Sequence, residues 1–289
     1  RTIVIEQRCK CSYKSGYLVV RNTETHMIHL SEISTIIMDT TASFMSAYLL
    51  SELAKQKIPI IICDEAHNPI GEYLPLYGSV DNNKRICEQI AWGAPIKKRI
   101  WQHIVQDKIL QQSTLLEDLL RPEAKIVKSL IPLVHSGDVT NQEAHAAQIY
   151  FPALFGHDFS RSDNTSINAC LNYGYAIILS CINKQVCSHG FLTQLGVCHH
   201  SQYNRFNLSC DFMEPFRIMV DRLVATTASP TLNSDMKHRL LDLPNQIVSY
   251  KSGNYHLSSV MSHYVQDCLN ALNKDLYPDD IETYQAWKG

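Results

Sequence analysis

The periodicity of the apolar residues changes once along this chain, and the change falls inside residues 69–83. Before it, β-branched or aromatic runs alternate with polar breaks at 2–5, 17–21, 27–30, 35–38 and 58–63, the pattern of short strands. After it, apolar residues recur at helical spacing. Pro69, Gly71, Pro75 and Gly78 punctuate the passage between the two textures. The fold class expected is α+β: a small β-rich N-terminal domain over 1–75, a linker at 76–83, and a larger all-helical C-terminal domain over 84–289.

In the first part, Tyr13-Lys-Ser-Gly16 is a turn signal. One helix is expected between Met38 and Ile58, with Thr40 or Thr41 as its N-cap and Leu49, Leu50, Leu53 and Ala54 on its apolar face. Pro59 suits the start of the strand that follows. In the second part the expected helices cover 86–112, 115–120, 124–134, 142–154, 167–187, 211–225, 235–241 and 260–273. The clearest lies within 163–188, where Ile167, Leu171, Tyr175, Ile178, Leu179 and Ile182 share one face.

With 45% hydrophobic residues, 289 residues bury an ample core. No apolar run approaches the roughly 20 residues of a membrane span, and no secretory pattern opens the chain, so no membrane partner is expected. The ten cysteines have no framework spacing and mostly sit among apolar neighbours, which points to free thiols in a reducing cytoplasm. The net charge of -2 hides a local excess: nine Lys/Arg stand against five acids over 84–128. That stretch is either a phosphate-facing surface or a solvated helix face.

Residues 194–217 carry the densest chemistry. His199 or His200 precedes Asp211 and Glu214, two carboxylates that share a face if the segment is helical. Such an oxygen-rich set with one histidine suits Mg2+ or Mn2+, and a cation so held serves phosphate chemistry. Structural alternatives stand beside this. Thr140-x-x-Glu143 reads as a capping box, and Asp211 and Glu214 suit a helix start. Pro215 fits a first turn or marks a kink. Because Phe212, Met213 and Phe216 imply burial, the two acids need a positive partner: Arg217, Arg222 or a metal. The adjacent histidines point apart on regular structure, so at most one serves a given site. Cys187, Cys198, His199, His200 and Cys210 lack the paired spacing of a zinc site, and Cys9-Lys-Cys11 is weaker still.

Several segments together resemble the CRISPR-associated adaptation integrase family, the universal first Cas protein, in the form found beside type II systems. They are Arg1-Thr-Ile-Val4, Ile28-His-Leu-Ser-Glu-Ile33, Cys63-Asp64 followed by Pro69-Ile-Gly71, and Gln89-Ile-Ala-Trp92. Further on come Glu143-Ala-His-Ala-Ala147, Tyr150-Phe151, Leu154-Phe-Gly-His-Asp-Phe159 and Ile167-Asn-Ala-Cys-Leu-Asn-Tyr-Gly-Tyr175. Last is Gln194-Leu-Gly196 through Asp211-Phe-Met-Glu-Pro-Phe-Arg217. Order and spacing hold over about residues 1–225; the last 60 or so carry little motif.

The resemblance implies a metal-dependent DNA integrase of spacer acquisition in antiviral defence, with endonuclease activity. A 3′-hydroxyl of a DNA fragment would attack a phosphodiester at the CRISPR repeat, a transesterification that needs no ATP. It places Glu143, His199 and Glu214 at the catalytic and metal positions, His199 by its place four residues after Leu195-Gly, with Asp211 as a possible additional acid. His199 must be unprotonated to ligate, so activity should fall in acid. Lys84, Arg85, Lys97, Lys98, Arg99, Arg161, Arg205 and Arg217 become candidates for DNA phosphates, and Tyr173 and Tyr175 lie either near DNA or in the helical core. The implied cofactor is Mg2+ or Mn2+. The implied partners are double-stranded DNA (spacer precursor and repeat), a second copy in a homodimer through the N-terminal domain, a small ferredoxin-like CRISPR protein in a hetero-hexamer, and the type II effector nuclease with an accessory DNA-end-binding protein. Two other readings remain: a stand-alone metal-dependent nuclease, and a non-catalytic DNA-end-binding scaffold in which Glu143 is a cap.

Overall fold

The computed structural model describes residues 1–65, 69–75 and 81–286, so Gly78 and residues 76–80 of the expected linker lie outside the described residues. The chain divides into two compact units: Arg1–Asn82 with Cys187–Phe191, and Asn83–Val186 with Leu192–Gly289.

The first unit holds strands β1 (Thr2–Ile5), β2 (Lys10–Lys14), β3 (Tyr17–Arg21), β4 (Thr25–His29), β5 (Thr35–Met38) and β6 (Phe44–Met45). Helix α1 (Ala47–Lys55), β7 (Ile60–Cys63) and β8 (Pro69–Tyr73) follow. One sheet runs β1-β5-β7-β8, parallel except for β8. The other runs β4-β3-β2-β6, an antiparallel meander with β6 added parallel to β2. β5 is buried at every position, as a central strand of a parallel set must be. Cys11, Leu18, Ile36, Leu49 and Leu53 form the innermost core.

Three details differ from the sequence pattern. β2 was not expected, because Lys-Cys-Ser-Tyr-Lys offers weak apolar alternation, yet it buries Cys11 completely. β8 occupies part of the expected connector; as an edge strand it tolerates its opening Pro69. The N-cap of α1 is Ser46, whose Oγ accepts the Leu49 N–H at 3.2 Å, while Thr40 Oγ1 accepts from Ala42 N–H in the preceding turn.

The second unit opens with α2 (Asn82–Ile90) and α3 (Ala94–Asp118), which the sequence pattern joined into one helix. Gly93 as N-cap with Pro95 in the first turn separates them, and α3 then runs on through Leu115. α3 buries Ile100, Trp101, Ile104, Val105, Ile109, Leu115 and Leu116 and packs against the helices around it. Next come α4 (Ala124–Ser129), α5 (Gln142–Phe155), α6 (Ser166–Ser188), α7 (Asn207–Met213), α8 (Arg217–Ala225), α9 (Ser234–Leu241) and α10 (Leu257–Leu272). Pro215 lies in a single 3-10 turn, Glu214–Phe216, that breaks the expected 211–225 helix between α7 and α8. A Cβ on Gly174 of α6 would penetrate Val220 of α8 and crowd Leu240 of α9, so glycine sets this close approach.

This unit is not all-helical. Strands β9 (Ile247–Tyr250), β10 (Gly253–His256) and β11 (Gln285–Ala286) make an antiparallel sheet in the order β10-β9-β11. Four-residue strands give too short a period-2 signal to stand out, though β9 buries Val248 and Tyr250 in alternation. No described helix is long and apolar enough to cross a membrane, and all ten cysteines are free thiols.

Candidate active site

Glu143 sits in the first turn of α5, but it is not part of a capping box. Asp138 caps the helix: its Oδ1 accepts the Gln142 N–H at 2.9 Å and its Oδ2 the Glu143 N–H at 3.0 Å. Thr140 instead reaches back to the Leu133 carbonyl. The Glu143 side chain is thereby free to meet Lys108 of α3, with Oε1 2.5 Å from Nζ. Lys108 Nζ also lies 2.6 Å from Glu214 Oε2. Arg217 holds the other Glu214 oxygen through Nε at 3.0 Å and Nη2 at 2.9 Å. The second contact of Lys108 is a close ion pair to a buried carboxylate oxygen.

Glu214 is 4% exposed and Lys108 14%. Burial would push the Glu214 carboxyl up, but Arg217 and Lys108 outweigh it and hold it at about 2. Lys108 stays charged by the same balance: burial disfavours its ammonium, and Glu214 and Glu143 raise it above the ordinary lysine range.

His199 is presented by a loop that its neighbours pin at several points. The buried Gln89 amide donates to the Leu192 and Leu195 carbonyls and accepts from the Leu192 N–H. Asn207 Nδ2 donates to the Gln194 and Ser201 carbonyls. Asp211 does most. Its Oδ2 accepts the Val197 N–H at 2.5 Å and the Cys198 N–H at 3.1 Å; its Oδ1 takes the His199 N–H at 3.1 Å and contacts His199 Nδ1 at 2.6 Å. Gly196 is required here, because a Cβ would run into the His199 carbonyl and Asp211 Oδ2. Trp101 backs the imidazole edge-on, ring centroids 5.7 Å apart.

With Nδ1 bound to a carboxylate, His199 keeps Nε2 for another partner, and its side chain is 43% exposed. The Asp211 bond raises the His199 pKa against the effect of burial, and the charges of Glu214 and Glu143 add to the rise. His200 faces elsewhere, lining a recess with Lys97 and Arg205. Asp211 and Glu214 therefore do different work: the first spends its oxygens on the loop, the second meets Lys108 and Arg217.

Among the described residues, no three His, Cys, Asp or Glu side chains converge closely enough to hold a metal ion. The donor chemistry nevertheless fits a hard divalent cation. Two carboxylates from separate segments already share one cation, and both offer it oxygen.

The candidate phosphate-binding cations fall into three groups. Lys84, Arg85 and Arg99 line a groove of about 1140 Å³, where Arg85 pairs with Glu88 and Arg99 with Asp279. Lys97 and Arg205 line the recess of about 480 Å³ beside His200. Arg161 and Arg217 flank the Tyr175 ring and, with Glu214, border a cavity of about 190 Å³. Lys98 joins none of these and lies against Gly137. In the sequence Lys108 is one of the nine basic residues of 84–128. Its signal was position: it follows Ile100 and Ile104 at four-residue spacing on a buried stripe, where a lysine needs acids.

Beside the same cavity, Asp221 is buried and accepts the hydroxyls of Tyr150 (2.8 Å) and Tyr175. Tyr175 and Tyr173 are thus core residues. Burial pushes the Asp221 carboxyl up to about 6, against the pull of the two hydroxyls and of Arg217.

Two predictions follow from these carboxylates. Asp211→Ala leaves three loop N–H groups without an acceptor and should cost at least about 3 kcal/mol in urea denaturation; a change under about 1 kcal/mol would show that the loop does not depend on it. Because the Asp221 pKa is raised from 3.8 to about 6, its contribution to stability is full below pH 3.8 and is lost as pH rises through 6. The stability of wild type minus that of Asp221→Asn should therefore fall by about 2 kcal/mol between pH 4 and pH 7. A difference that stays flat across this range would mean that the carboxyl titrates normally.

Residues 2–236 match the family model described as CRISPR associated protein Cas1. The CRISPR-associated endonuclease Cas1 of Neisseria meningitidis serogroup C (strain 8013) is 38% identical over 227 residues, 78% of this chain and 74% of that protein. Among solved structures, a casposase bound to integration product superposes with a TM-score of 0.79 at 18% identity, over 96% of this chain and 92% of that one. A Cas6-RT-Cas1–Cas2 complex gives a TM-score of 0.74 at 19% identity, over 100% of this chain and 36% of that one. With the family model spanning most of its length and a relative at this level of identity, the chain belongs to the Cas1 family.

Proposed function

We propose that the protein is the DNA integrase of CRISPR adaptation, joining the 3′-hydroxyl of a spacer precursor to the repeat. The observation that carries the reading is the convergence of Glu143 and Glu214, from α5 and the turn after α7, on one buried cation, in a chain whose relatives include an endonuclease and whose fold matches a casposase. That Asp138 caps α5 strengthens it, because Glu143 is then not needed for the helix.

Glu143 and Glu214 would hold Mg2+ or Mn2+ through oxygens, and His199 through Nε2. When bound, such an ion stabilises negative charge on the reacting phosphate and acidifies an attacking hydroxyl. Asp211 fixes the tautomer and orientation of His199. Arg161 and Arg217, beside Glu214, are placed to neutralise a phosphate and align it. In strand transfer the incoming 3′-oxygen forms a bond to phosphorus and the repeat's 3′-oxygen leaves. The hydroxyl proton passes to solvent and the leaving oxygen takes one back, so phosphodiester bonds are conserved and no nucleotide is hydrolysed.

Double-stranded DNA is the substrate on this reading. A Cas2-type protein is the partner, on the strength of the Cas1–Cas2 neighbour. A homodimer through the N-terminal unit, a hetero-hexamer and the type II effector nuclease with its accessory protein complete the assembly that the resemblance implies.

A labelled duplex with free 3′-hydroxyls, a repeat-bearing plasmid, Mn2+ and the small partner protein test the reading. Joined product should form, and Glu214→Ala, the pair Glu143→Ala with Glu214→Ala, or a chelator should abolish it while the variants stay folded. Nicking without joining would favour the stand-alone nuclease, and DNA retention by the double variant with no chemistry in wild type would favour the scaffold. The pH profile is a second test. His199 must lose its proton to bind a metal, and the Asp211 bond favours the protonated form, so activity should fall in acid. Because metal and proton compete for the imidazole, the acid limb should move to lower pH as Mn2+ is raised, and a limb insensitive to Mn2+ would remove His199 from the ligand set.

A further inference from the structure

We infer that Lys108 is an exchangeable counter-cation: its ammonium holds Glu143 and Glu214 together until a divalent ion arrives, and then withdraws to Gln112. The inference rests on the reading that Glu143 and Glu214 bind such an ion.

Charge is the first argument. Lys108 and Arg217 balance Glu143 and Glu214, so the buried cluster is already neutral. A dication added with the ammonium still between the carboxylates would face that ammonium at contact distance. One that takes the ammonium's place meets both carboxylates directly, and the repulsion between the two cations falls as the ammonium moves away.

Position is the second. Lys108 Nζ lies 2.5 Å from Glu143 Oε1 and 2.6 Å from Glu214 Oε2, so it occupies the ground between the two oxygens that a shared ion would need. Arg217 sits on the other Glu214 oxygen and does not block that ground.

The third argument is where the ammonium can go. Gln112 stands four residues after Lys108 on α3, hence on the same helix face. Its Oε1 is buried and has no hydrogen-bond partner. Both side chains line the 190 Å³ cavity beside Glu214. An unmade buried acceptor is unfavourable, and a lysine on a flexible four-carbon stem satisfies it without leaving the protein. Lys108 is thus a positioning residue that acts on metal occupancy rather than on DNA.

Mn2+ binding to the full chain, measured by calorimetry and by the free-ion spin signal, tests this without reference to catalysis. K108M should bind Mn2+ at least tenfold more tightly than wild type, and Q112L severalfold more weakly; E143Q should abolish binding in each background. In wild type labelled at lysine Nζ, Mg2+ should shift the Lys108 ammonium resonance. Should K108M fail to fold, this resonance and Q112L still decide the matter. K108M binding equally or more weakly while E143Q still abolishes binding would overturn the exchange and leave the metal reading intact, as would a Lys108 resonance unmoved at saturating Mg2+. Absence of Mn2+ binding in wild type and K108M alike would overturn both.

Discussion

A carboxylate buried as deeply as Glu214 stays ionised only beside positive charge, and the centre of the second unit is organised to supply it. Arg217, one turn further along, takes one oxygen; Lys108, from the long helix α3, takes the other and reaches on to Glu143. Three segments are tied through one ammonium group. The geometry also explains why α3 carries a lysine among buried isoleucines. Asp138 completes the logic at the far side: by capping α5 it releases Glu143 from a structural duty and turns it inward.

The neighbouring histidine is held by a different device. Asp211 gathers three consecutive backbone N–H groups, so the chain at 197–199 wraps around a single carboxylate much as a loop wraps an anion. The same oxygens fix the imidazole, and Gln89 and Asn207 clamp the approach to the loop. Three acids in this region thus serve three ends: Glu214 for cations, Asp211 for the loop, and Asp221 for two tyrosine hydroxyls.

Much of this was legible in residue order, for identifiable reasons. Period-2 runs of β-branched residues located β1, β3, β5 and β7, and long helical periodicity located α5 and α6, because burial on one face leaves a repeating trace. β2 and the β9–β10–β11 sheet left little trace, since short strands with lysine, serine or glycine carry few apolar positions. The capping box at Thr140 misled because a nearby aspartate, two residues earlier, competes for the same N–H groups. His199 and Glu214 stood out by the donor chemistry of 194–217, with His200 and Asp211 beside them, and Glu143 only as a member of a motif. Their relation through Lys108 depends on how α3 packs, which no local spacing encodes.

The Glu143–Lys108–Glu214 link spans parts of the chain that are far apart in sequence. Neither glutamate finds its counterpart until α3, α5 and the turn at Pro215 have packed. A chain emerging from the ribosome, or one locally unfolded, therefore carries the acids without their pairing. For a protein whose proposed work is to break and remake DNA, the candidate centre is assembled only in the finished fold.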